Sequence, residues 1–181
     1  MPAPPLFAQN PAAPAVRNFD GVVSTTVTVN RNLMDFYTNY PPCHWSVYAA
    51  TALTAPVCGQ LYPPLRAAVA GKGEREAAEL LLHYLHRAFP YKTDEAQFGI
   101  ERTLFAEEMY YYPYSDCEDR SILFARLVKD LLSDFMKVEG TRVAVVVDWD
   151  GFVIDGVAKD SEFGLAAIGA VNGVVHILGL V

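Results

Sequence analysis

Cysteine and histidine are the side chains of this sequence best suited to covalent chemistry, and there are three of the first and four of the second. Cys117 stands in Ser115-Asp116-Cys117-Glu118, directly before a long apolar-periodic stretch. That spacing has the form of a capping box, with Ser115 as N-cap and Glu118 as the third helical residue. It predicts Cys117 in the first turn of the helix. The positive end of the helix dipole and unpaired backbone N–H groups lie there, which favour a thiolate and can hold a developing oxyanion. A cysteine acyl-transfer enzyme needs both. Asp116, Glu118 and Asp119 oppose ionisation, so a basic partner is required as well.

The other candidates are weaker. No two cysteines have the C-x-x-C spacing of a zinc ribbon or a dithiol redox motif. Cys43 and Cys58 are near enough in sequence to close a small disulfide loop and leave Cys117 free, and three reduced thiols are the equal alternative. His83 and His86 are three apart on a predicted helix, yet no third ligand accompanies them. No metal and no organic cofactor is implied. His176 is the one histidine after Cys117 and so the candidate base, while His44 lies upstream. Every acidic residue of the chain precedes His176.

The elements that must position these residues follow from periodicity and punctuation. Val22 to Val29 reads as a strand, and Leu33, Phe36, Tyr37 and Tyr40 form one face of a short helix stopped by Pro41-Pro42. Trp45 to Ala55 reads as a helix ended by Pro56, and Leu61 to Ala70 as another with Pro63 and Pro64 in its first turn. After Gly71-Lys72-Gly73, Ala78, Leu81, Leu82, Leu85 and Phe89 make an apolar stripe closed by Pro90. Tyr91 to Tyr114 is an aromatic loop ending in Tyr110-Tyr111-Tyr112-Pro113-Tyr114, suited to a groove or to rim packing. The helix from Asp116 to about Phe135 shows one broad apolar face. Thr141 to Val147 reads as a strand, Asp148-Trp149-Asp150-Gly151 as a turn and Phe152 to Ile154 as its return, with a last strand from Val174 to Val181 after Asn172-Gly173.

Helices first and strands afterwards predict an α+β fold, a helical N-terminal half packed on a C-terminal antiparallel β-sheet. The Pro/Ala-rich residues 1–18 read as an arm or linker, and residues 19–181 as one domain. With 52% hydrophobic and 19% charged residues over 181 positions, such a domain can bury a sizeable core. A net charge of -7 argues against nucleic acid as a partner. Phe163 to Val181 carries no charge, but its glycines, Asn172 and His176 suit core strands better than a membrane span.

The run from Tyr114 to Leu132, with Asp116-Cys117-Glu118-Asp119-Arg120-Ser121 at its head, resembles the nucleophile-bearing helix of bacterial transglutaminase-like domains. The similarity extends upstream over roughly residues 30 to 135. The resemblance implies a papain-like α+β core in which a Cys at a helix N-terminus faces His and Asp on adjacent strands. It implies thiol-dependent hydrolysis or transfer of amides in a polypeptide or peptide-like substrate, with Cys117 as nucleophile and His176 matched to the base by order. It equally allows a catalytically inactive descendant that binds a polypeptide or glycan. From about residue 138 the sequence departs from the family pattern: His176 lacks the family's flanking residues and no acidic residue follows it. Related bacterial domains are commonly exported, so the resemblance and the Pro/Ala-rich start together imply an extracytoplasmic (periplasmic or secreted) protein.

Overall fold

The computed structural model describes residues 7–135, 143–147 and 153–158. Strands β1 (Ala15–Phe19) and β2 (Val23–Val27) open the chain as an antiparallel hairpin. Asp20 and Gly21 join them, both at positive φ (44° and 75°), and the Val22 amide donates to the Phe19 carbonyl at 2.7 Å. Two left-handed central residues match the right-handed twist of the flanking strands, and Asp-Gly is a favoured pair for such a turn. In β2, Val23, Thr25 and Val27 point inward and Ser24 and Thr26 outward, the period of a half-buried strand.

The stretch predicted to be an arm is thus part of the fold from Phe7 onward. The Ala12 amide donates to the Val29 carbonyl at 2.9 Å, the Arg31 amide to the Asn10 carbonyl at 2.7 Å, and Phe7 packs on Phe36. Its prolines hid a strand that begins only after Pro14.

Five helices and a helical turn follow: α1 (Arg31–Thr38), α2 (Trp45–Ala50), α3 (Ala55–Val69), α4 (Glu74–Ala88), α5 (Asp94–Phe98) and the 3-10 turn Glu108–Tyr110. Asn30 caps α1 by accepting from the Asn32 amide. Pro56 opens α3 instead of ending α2, a first-turn position where the missing N–H has no helical partner to lose. Pro63 and Pro64 lie inside α3, not in its first turn. Pro63 is exposed and Pro64 half-buried while Val57, Leu61, Tyr62 and Leu65 are buried, so packing of the apolar stripe carries the helix through two lost backbone donors.

The last helix, α6 (Cys117–Phe135), is followed by the antiparallel hairpin β3 (Val143–Val147) and β4 (Val153–Ala158). The fold is therefore α+β, with strands at the start of the chain as well as after the helices. The predicted turn over residues 148–151 and the strand over 174–181 lie outside the described residues.

One broad apolar face was the expectation for α6, but Ile122 through Val128 are buried without a break, Arg126 included. A helix covered on all sides is a spine. It packs against α2, α4 and the β3–β4 hairpin, and the core around it holds Leu33, Met34, Leu61, Leu65, Leu81, Leu85, Phe89 and Phe105. The buried run from Ile122 to Val128 thereby anchors the helix that Cys117 begins.

Candidate functional site at the start of α6

The helix begins one residue later than the predicted cap. Ser115 is extended and paired with Tyr91 in a parallel bridge, its amide donating to the Pro90 carbonyl (3.1 Å) and its carbonyl accepting from the Lys92 amide (3.2 Å). With that carbonyl taken, the first helical bond runs from the Arg120 amide to the Asp116 carbonyl. Asp116 is therefore the N-cap. Its carboxylate accepts from the Glu118 and Asp119 amides at 3.0 and 3.1 Å, and the Asp119 carboxylate returns to the Asp116 amide at 3.2 Å. The capping box is real, but it joins Asp116 to Asp119 instead of Ser115 to Glu118. Cys117 moves from the second to the first helical position.

Two properties of Cys117 follow. Its thiol is exposed to solvent. The box also uses the amides of Asp116, Glu118 and Asp119, so the Cys117 N–H is the first-turn donor left without an acceptor among the described residues. An exposed thiol and a backbone N–H without an acceptor among the described residues thus belong to one residue at the start of a buried helix.

The turn is tied down from outside the helix. The Asp119 carboxylate also accepts the Leu104 amide at 2.8 Å, and Glu118 accepts the Thr103 hydroxyl at 3.2 Å. Arg102 sends its amide to Asp94 (2.8 Å) and its guanidinium to Glu108, Tyr112 and Thr38. Glu108 in turn accepts the Phe105 amide at 3.0 Å. The aromatic loop is a brace for the first turn of α6.

The surroundings are acidic. Carboxylate oxygens of Asp94, Glu101 and Asp116 all lie within 4.8 Å of one another. Those of Asp94 and Asp116 already accept backbone N–H groups, which accounts for them as structural acceptors. Burial pushes the carboxyls of Asp94 and Glu118 up, and that of Asp119 up to about 7, against the hydrogen bonds that favour its charged form.

On the opposite side stand cations on aromatic rings. The Arg120 guanidinium lies 5.2 Å from the Tyr91 ring centroid and the Lys92 ammonium 5.2 Å from that of Tyr114. The tyrosine run divides by role. Tyr110 is core and hydrogen-bonds Tyr84 at 3.1 Å, Tyr112 braces Arg102 and Thr38, and Tyr111 and Tyr114 are exposed.

The histidines are placed as follows. His176 lies outside the described residues. His44 caps α2, its Nδ1 accepting from the Ser46 amide, and His83 stacks on Phe19. His86 is exposed on α4, its imidazole pushed down by burial and by the nearby Arg120 and His83 charges. All three cysteines are free thiols, so Cys43 and Cys58 are not joined. Arg120, Asp119, Tyr91 and Lys92 were not singled out as site residues by sequence reasoning. Two of them had a signal there: Asp119 as a nearby acid three residues after Asp116, and Arg120 three residues after Cys117.

No family model, curated protein or solved structure matches the chain.

Proposed function

We propose that the protein is a thiol-dependent amide hydrolase or transamidase of transglutaminase-like type, acting on a polypeptide or peptide-like substrate through Cys117. The observation that carries this reading is an exposed thiol on the first residue of a long, buried helix whose N-terminus is held by a reciprocal capping box. The Cys117 sulfur, as thiolate, attacks the carbonyl carbon of the substrate amide. The Cys117 N–H donates to the resulting oxyanion. Collapse breaks the C–N bond, and the departing nitrogen takes a proton from the acid form of the base, for which His176 is the candidate. The thioester then passes its acyl group to water or to an amine, with the base removing that nucleophile's proton and the thiolate leaving.

A second reading has its own support. Tyr91, Tyr111 and Tyr114 are all more than a third exposed, and Tyr91 is bridged to Ser115 two residues before Cys117, as a catalytically silent domain gripping a polypeptide or glycan would have them. Alkylation by iodoacetamide, followed by pH and read on the peptide holding Cys117, separates the two. A thiol that reacts fast well below pH 8, lost in Cys117→Ser together with amidase activity on a peptide library, supports the enzyme. An ordinary thiol profile with retained peptide or glycan binding, abolished in Tyr91→Ala and Tyr114→Ala, supports the binding domain. An extracytoplasmic location belongs to the same proposal, and recovery from the cytoplasmic fraction of the native cell would refute it.

A further inference from the structure

We propose that Glu107 and Glu108, adjacent carboxyls buried within the aromatic loop, form an acid-closed latch. With a proton bound, the pair ties that loop to α1 and to the start of α3, and loss of the proton releases it. The device rests on this pair and not on any role for Cys117.

The geometry supplies two acids and one cation. Glu107 is 2% and Glu108 0% exposed. Both oxygens of Glu108 are partnered, one with the Arg102 guanidinium and the other with the Phe105 amide at 3.0 Å. Those of Glu107 are not. Its Oε1 accepts the Thr54 amide, while Oε2 is buried with no partner among the described residues. A buried carboxylate oxygen without a donor leaves the desolvation cost of its charge unrelieved, and a bound proton removes that charge. The elements packed around the pair bring acids, not a second cation. Tyr37 of α1, Tyr48 of α2 and Cys58 of α3 each feel the charge of one or both carboxylates, and burial pushes all three up, so they stay neutral. Arg126 of α6 pairs with Asp130, and Arg17 of β1 donates to the Met109 and Tyr112 carbonyls at 3.0 Å each.

The ties held by the pair are long-range. Glu107 holds Thr54, the residue that precedes α3, and Glu108 reaches Tyr112 and Thr38, the last residue of α1, through Arg102. Between Arg102 and Glu107 lie Thr103 and Leu104, which bond Glu118 and Asp119 in the first turn of α6. A loop that leaves this seat therefore loosens its brace on α6 as well. Burial pushes both carboxyls up, Glu108 to about 7, against the hydrogen bonds that favour their charged forms. The closed form thus binds a proton more tightly than an open form in which the carboxyls meet water. Acidification closes the latch, and between the ordinary and the raised carboxyl values each pH unit favours opening by up to about tenfold.

The test is amide hydrogen exchange of the full chain between pH 5 and 7.5, read on peptides covering residues 51–58 and 101–112 and corrected for the ordinary base catalysis of exchange. In wild-type protein, opening of both segments is expected to rise by up to about tenfold per pH unit, while peptides of α4 show no such rise. Glu107→Gln keeps an acceptor for the Thr54 amide and carries no charge, so it should flatten most of the rise. Opening that is independent of pH in the wild type, or an equal rise in the two proteins, overturns the proposal. If Glu107→Gln does not fold, a carboxyl-carbon NMR titration of the wild type decides. Ordinary midpoints for both Glu107 and Glu108, as a bound water on Glu107 Oε2 would give, overturn the latch, and a raised midpoint coinciding with the rise in opening supports it.

Discussion

Two cysteines lie beside the same helix in opposite settings. Cys117 starts α6, exposed, with its own amide unspent among the described residues. Cys58, on α3, lies near the middle of α6, half-buried, its thiol directed at the Leu53 carbonyl at 3.7 Å. Around it Tyr62 donates to Asp130, and Arg126, buried within the spine, pairs with Asp130 at 2.5 Å. Both thiols have acids nearby. What differs is solvent: burial pushes the Cys58 thiol up, the ordinary outcome for a sulfur in a core, whereas the N-terminal turn of α6 presents Cys117 to water. Cys58 is itself only the fourth residue of α3, so it is burial and not the end of a helix that sets the two thiols apart.

The contrast depends on α6 being rigid between the two places, and a cavity in its middle breaks it with the largest effect. Leu123 is fully buried among the core residues. Leu123→Ala is expected to cost about 3 kcal/mol of stability in urea unfolding. It should also narrow the difference in alkylation rate between Cys117 and Cys58, because loosening the spine opens the buried thiol. A loss under about 1 kcal/mol would mean that α6 is not the spine described.

Next in size is the pH dependence of the cap. The Asp119 carboxyl is buried and raised to about 7 from an ordinary 3.8. The folded state then binds more protons than the unfolded one between those values, so this group's stabilisation is complete below the lower and is lost as pH rises through about 7. Its share is on the order of 2 kcal/mol. Glu108, also raised by burial to about 7, acts in the same direction. Wild-type protein should therefore lose stability between pH 5 and 8, and Asp119→Asn should lose less over that interval. Equal losses in the two proteins would refute a titrating cap.

Much of this was legible in the sequence, and the misses have physical causes. The start and stop of α1 and α4, the break at Gly71-Lys72-Gly73 and the pairing of residues 143–147 with 153–158 all follow from local rules. The Asp20-Gly21 turn signal was present, yet β1 lay hidden behind the proline-rich start, and a hairpin's first strand needs its partner to be recognised. The run of α3 across Pro63-Pro64 was decided by tertiary burial, against local propensity. The capping box was visible, but its register was set by a long-range pairing of Ser115 with Tyr91 that spacing does not encode. The same holds for Arg120, whose place on Tyr91 and Phe89 joins segments about thirty residues away. His176 and the strand proposed around it fall outside the described residues.

A direct measure of the contrast comes third. In native protein, Cys117 should be alkylated about tenfold faster than Cys58 at pH 8, and the two rates should converge in denaturant. Equal native rates would show that exposure does not separate the two thiols. Three titratable thiols in denatured protein that has never met reductant are expected from the free state of all three cysteines.

The smallest effect tests whether the Cys58 side is independent. Tyr62→Phe removes the donor to Asp130, but Asp130 keeps Arg126 and is only partly buried, so the cost should be about 1 kcal/mol. The hydroxyl's one hydrogen goes to Asp130 and burial is the largest cause acting on the Cys58 thiol, so alkylation of Cys58 at pH 8 should change little. Cys117 shares no hydrogen-bond partner with this group among the described residues, so its profile should not move. A Cys117 profile that shifted with Tyr62→Phe would mean that α6 transmits changes between its two thiol neighbourhoods, and the contrast drawn between them would then describe one coupled network instead of two sites.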